Sequence, residues 1–130
     1  MIRGLENMFS EENNLLKVEY SYNEETDSVF ISRKEDYVYD ESVELNNNII
    51  LDFDNENIPS ALEILDASKI FKVSKSNLNH MNNLNVHIII NKETIKIKIE
   101  LKLLNHNETV NSFVANNSQI PSLQTELISV

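Results

Sequence analysis

The stretch Ile49–Ser68, IILDFDNENIPSALEILDAS, decides how this chain is read. Ile49, Ile50, Leu51 and Phe53 precede a polar centre of Asp, Asn, Glu, Pro and Ser, and Ala61, Leu62, Ile64 and Leu65 follow it. Two apolar runs separated by turn-forming residues read as paired β-strands resting one face on a core. The expectation is a hairpin with acidic strands before it, a short helical segment after it and a basic hairpin beyond.

Towards the N-terminus, Leu16, Val18, Tyr20 and Tyr22 alternate with polar residues, which predicts a half-buried strand. Residues 23–27 read as a turn, 28–32 as the returning strand and 41–45 as a third strand. The charged loop between them holds Tyr37, Val38 and Tyr39, an aromatic corner that either contacts a partner or packs on the sheet. Residues 1–14 carry Ile2, Leu5, Met8 and Phe9 at helical spacing, too few to hold alone, and read as a loosely held N-terminal arm.

Towards the C-terminus, Asp66 and Ser74 are placed to cap helical turns carrying Ile70 and Phe71, then Leu78 and Met81. That predicts one short helix, broken near Val73, lying across the sheet. In 94–103 the alternation is strict. Ile95, Ile97, Ile99, Leu101 and Leu103 share one face, and Lys96, Lys98, Glu100 and Lys102 the other. Residues 109–115 read as a further strand, and 119–130 as a short helix or an extended tail. The expected fold class is α+β, a mainly antiparallel β-sheet meander with one short helix packed on it. It forms a single domain over residues 15–130, with a meander and helix start in 16–71 and C-terminal strands in 84–115.

With no cysteine, disulfides and thiolate metal sites are excluded. The net charge of −10 disfavours general nucleic-acid binding, because a strongly acidic chain repels phosphate. The charge is unevenly spread: 17 acidic and 4 basic residues lie up to Asp66, and 4 acidic and 7 basic residues beyond it. Two oppositely charged halves can pack on one another within a chain or between two copies. No run has the length of a signal peptide or a membrane span, so a cytoplasmic, non-membrane protein is expected.

Four blocks stand in order between Lys17 and about Phe71: Tyr22-Asn23-Glu24-Glu25-Thr26-Asp27-Ser28-Val29-Phe30-Ile31, Glu41-Ser42-Val43-Glu44-Leu45, Ile50-Leu51-Asp52-Phe53-Asp54 and Leu62-Glu63-Ile64-Leu65-Asp66-Ala67-Ser68. In these blocks and their spacing the chain resembles the prokaryotic family called domain of unknown function 2283. Asn57 and Ala61 stand where the family usually has Gly; Asn can hold a left-handed turn, and Ala requires only room for a methyl. The residues beyond the match look like the extension on longer archaeal members. The resemblance implies a β-meander followed by a helix and brings no established activity, although some small members look like antitoxins.

The sharpest chemical candidate is a calcium loop. Asp52, Asp54, Glu56 and Glu63 fall at positions one, three, five and twelve, the spacing an EF-hand uses. Asn57 and Pro59 fit that loop badly, and its flanks read as strands rather than helices, so an acidic β-turn is the competing reading. His80, His87 and His106 fall on different elements, with no paired-ligand spacing for zinc. A serine elbow, a cysteine nucleophile and a Gly-rich phosphate cradle are all missing, Gly4 being the one glycine. The lysine face of 94–103 either prevents edge-to-edge strand pairing or meets an acidic partner. The function expected from the sequence is a non-enzymatic protein-interaction module without a cofactor, engaging a protein partner or a second copy as a homodimer. A small calcium- or ligand-binding protein built on Asp52–Glu63 is the alternative.

Overall fold

The computed structural model describes residues 13–103, 109–117 and 122–129. Among the described residues nine strands make up one sheet: β1 (Asn13–Asn23), β2 (Ser28–Arg33), β3 (Tyr39–Asn46), β4 (Ile49–Asp54), β5 (Pro59–Ile64), β6 (Met81–Ile90), β7 (Thr94–Leu103), β8 (Thr109–Asn116) and β9 (Leu123–Ser129). Two five-residue helices, α1 (Ala67–Phe71) and α2 (Lys75–Asn79), interrupt the chain between β5 and β6. The spatial order of the strands is β3-β4-β5-β2-β1-β9-β6-β7-β8. The two edge strands, β3 and β8, come within 8 Å of each other, Cα to Cα, and the sheet is nearly a closed barrel.

This overturns the α+β expectation. The protein is mostly β, and its sheet order is not that of a meander. The physical reason lies in 123–129, which forms neither a helix nor a tail. It enters the sheet between β1 and β6, parallel to β1 and antiparallel to β6. Leu16 stands opposite Leu127, which in turn stands opposite Val86, so one short strand joins the family-like half to the basic half. Once the sheet curls on itself, its inner face needs no covering layer, and the helices lie at one end of the barrel.

Alternation sets the inner face. Val29 and Ile31 of β2, Ile49, Leu51 and Phe53 of β4, and Leu84, Val86 and Ile88 of β6 are buried in the core with Ile95, Ile97, Ile99 and Leu101 of β7. Each such side chain contributes about 1.5–3 kcal/mol through removal from water. Ala67, Phe71 and Leu78 add the helices to the same core. Met81, expected on the second helical piece, opens β6 instead.

With little glycine, the turns use other residues at positive φ: Asp27 at 52°, Asn57 at 63°, Asp66 at 53° and Lys72 at 58°. Asn57 therefore holds the left-handed position expected of it. Asp66 does not cap α1 through its side chain, whereas the Ser74 hydroxyl accepts from the Asn77 amide at the start of α2. Of the 1–14 arm, only Asn13 and Asn14 are described, and they begin β1.

Candidate functional site

Two buried carboxylates hold the two ends of the barrel. At the helix end, Asp27 closes the β1–β2 turn. Its Oδ1 accepts from the Tyr22 hydroxyl at 2.6 Å and the Ser68 amide at 3.0 Å, and its Oδ2 from the Ser68 hydroxyl at 2.6 Å. The Asp27 carbonyl also accepts from the Ala67 amide at 2.8 Å. Asp27 thus supplies the cap that Asp66 does not, satisfying amides in the first turn of α1 from across the fold. Burial pushes the Asp27 carboxyl up. The Ser68 hydroxyl, the Tyr22 hydroxyl, the Ser68 amide and the charge of Lys75 outweigh it and hold the group below the usual carboxylate range. The Tyr22 phenol moves the other way, raised first by burial and then by its hydrogen bond to Asp27 and the carboxylates of Asp27 and Glu24.

At the opposite end, Asp54 Oδ1 accepts the amides of Glu56 and Ile58 at 2.8 and 3.0 Å. Its Oδ2 meets the Arg33 guanidinium at 2.6 Å, and that guanidinium lies 5.7 Å from the centre of the Tyr37 ring. Burial raises the Asp54 carboxyl; the Ile58 amide, Arg33 and the Glu56 amide together bring it below the usual range. In sequence, Arg33 belonged to a charged loop, and Asp27 read as a turn residue. Neither could be linked to its partner, because 41 residues separate Asp27 from Ser68 and 21 separate Arg33 from Asp54.

The four residues of the calcium reading do not converge. Asp54 is engaged as above, and Asp52 accepts from the Ser42 hydroxyl at 2.6 Å. Glu56 is exposed in the turn, while Glu63 lies on β5 opposite Ile50 and Phe30. Among the described residues no three His, Cys, Asp or Glu side chains are grouped to hold a metal ion. His80 ends α2, and His87 lies on β6 with its Nε2 2.9 Å from the Gln124 amide nitrogen. His106 is outside the described residues.

The lysine face is where a second surface emerges. β7 is hydrogen-bonded to β6 on one side and β8 on the other, so its lysines guard no edge. Lys96, Lys98 and Lys102 are exposed on the outside of the barrel. A cleft of about 360 Å³ lies elsewhere, lined by Glu19, Tyr20, Ser21, Phe30 and Ser32. A second, of about 190 Å³, is lined by Leu15, Leu16, Lys17, Arg33 and Glu35. Among the described residues no helix is long and apolar enough to cross a membrane.

Residues 19–68 match the family described as "Protein of unknown function (DUF2283)". A protein of Methanosarcina mazei named "Putative hypoxanthine phosphoribosyltransferase" is 32% identical over 97 residues, covering 73% of this chain and 76% of the relative. No solved structure matches the chain. The matched segment is the part of the barrel fastened by Asp27–Ser68 and Arg33–Asp54, and the chain belongs to the DUF2283 family of proteins of unknown function.

Proposed function

We propose that this chain is a non-enzymatic protein-interaction module whose lysine-bearing outer wall recognises an acidic protein surface. The observation that carries this reading is the position of β7. Three exposed lysines project from a strand with both neighbours paired, where protection against edge pairing gives no reason for them. Glu100 lies on the same face between Lys98 and Lys102, and the excess of positive charge on a rigid wall favours a partner of the opposite sign and speeds its encounter. The buried carboxylates, which would be the first candidates for acid–base chemistry, have their oxygens occupied by turn and helix donors, the Tyr22 hydroxyl and the Arg33 guanidinium.

Phosphoribosyl transfer, named for the archaeal relative, would require donors gathered around phosphates. The larger cleft presents the Glu19 carboxylate instead, and both helices are only five residues long. The reading is tested by affinity capture from an extract of the source organism with the wild type and with a Lys96→Glu/Lys98→Glu/Lys102→Glu variant. A protein retained by the first and lost by the second is expected. Equal capture by both, or turnover of hypoxanthine with a phosphoribosyl donor, overturns it.

A further inference from the structure

The wall formed by β6, β7, β8 and β3, together with Val38 in the loop that leads into β3, carries four of the large apolar side chains left in water. Ile89 is 37% exposed, Val114 63%, Val38 63% and Tyr39 56%. Lys96 stands opposite Ile89 on one side and Val114 on the other, so these three form one row across the outside of the barrel. Tyr39 opens β3 at the end of the barrel away from the helices, the end at which this row also lies. The Tyr39 hydroxyl is 2.8 Å from the Ser42 hydroxyl, which donates to Asp52, so the ring is held against the outer surface. Across the β3–β8 seam the charge changes sign. Lys96 and Lys98 are exposed on one side, and Asp40 and Glu44 on the other.

We propose that this wall is the contact between two copies of the chain, related by a two-fold axis running along the β3–β8 seam. The inference rests on the interaction-module reading and names the partner. An isologous contact requires a patch that complements itself under the two-fold rotation. An axis parallel to the seam exchanges its two sides and keeps height along the barrel. It therefore lays β3 of each copy on β8 of the other, with Tyr39 and Asp40 at the Val114 end of the row and Lys96 one strand further. An axis across the seam would oppose lysines to lysines and acids to acids. The chain's overall charge of −10 repels a second copy at long range, which leaves a contact with alternating signs as the favoured approach. Four strands at about 4.8 Å spacing give a wall only about 20 Å wide. The contact is accordingly at the small end of specific interfaces, and the dimer dissociates at low concentration.

Sedimentation equilibrium on the full chain tests this. The wild type is expected to dimerise reversibly. Lys96→Glu and Asp40→Lys are each expected to weaken the dimer about tenfold or more, in the range of a lost interfacial charge pair. The double variant, which exchanges the two signs, is expected to recover most of the affinity. Circular dichroism confirms folding of each variant. A dimer indifferent to both single variants, or a double variant no better than either, overturns the proposal. So does a wild type that stays monomeric at high concentration. Monomeric wild type with lysine-dependent capture intact refutes the self-contact alone; loss of both removes the module reading as well.

Discussion

The carboxylate of Asp27 accepts both the amide and the hydroxyl of Ser68, at 3.0 and 2.6 Å, and so ties the β1–β2 turn to the helix that leaves β5. The first and last blocks of the family match meet at this point. Replacing Asp27 by Ala leaves the Tyr22 hydroxyl and the first-turn amide of α1 without an acceptor. A loss of about 2–4 kcal/mol is expected from charge-assisted hydrogen bonds and a helix cap removed together. Urea unfolding followed by circular dichroism measures it; a loss under about 1 kcal/mol would show the cap to be dispensable.

Acidification should weaken the fold through the same groups. Asp27 and Asp54 are held below the usual carboxylate range when folded, so the unfolded chain binds protons more readily. Their contribution is complete above the unfolded value, about 3.9, and is lost as pH falls through the folded values. Unfolding free energy should therefore drop below about pH 4, and Asp27→Asn should flatten that slope. An unchanged slope in the variant would place the acid sensitivity elsewhere.

Arg33 and Asp54 form the corresponding fastening at the other end. The side chains are 12% and 5% exposed, so removing the cation strands a largely buried carboxylate. Arg33→Ala is expected to cost about 3 kcal/mol, read as a lowered urea midpoint. A near-neutral result would mean that the two turn amides suffice for Asp54.

β9 should behave as core rather than tail. Leu127 is 1% exposed between Leu16 and Val86, and Leu127→Ala is expected to cost about 2–5 kcal/mol. Thr125 in the same strand is fully buried, and its hydroxyl finds no protein partner. Thr125→Val keeps the shape and removes the polar group, so a gain of about 1 kcal/mol is expected. Thermal unfolding of both variants decides; a harmless Leu127→Ala would contradict the placement of this strand.

Millimolar calcium should leave the melting temperature unchanged. Asp54 is already occupied by two amides and a guanidinium, and Asp52 by the Ser42 hydroxyl. A ligand that bound only the folded chain would raise its stability with the logarithm of one plus the ratio of its concentration to its Kd. A calcium-dependent rise abolished by Asp52→Asn would reinstate the loop as a cation site.

Much of the strand pattern could be read from local alternation. Tyr22 and Leu16 point inward on β1, the five apolar residues of 94–103 point inward on β7, and Asn57 turns the chain between β4 and β5. The last strand escaped because Thr125, a polar residue, occupies one of its inward positions and blurs the period. The lysine face was legible as a face, but whether β7 was an edge was not. Likewise Asp54 could be seen as an acid in a turn, while its occupation by Arg33 could not.

The amino-acid order by itself determined which side chains of most strands face inward, where the chain reverses, and that thiol chemistry is absent, since these follow from neighbouring residues and composition. Only the tertiary structure decided that the sheet curls towards closure and that residues 123–129 join its two halves. It alone gave Asp27 and Asp54 their partners. The reason is physical: side-chain alternation is a property of a single strand, whereas pairing is a competition among all strands for the same backbone hydrogen bonds and buried surface, settled only when the whole chain is packed.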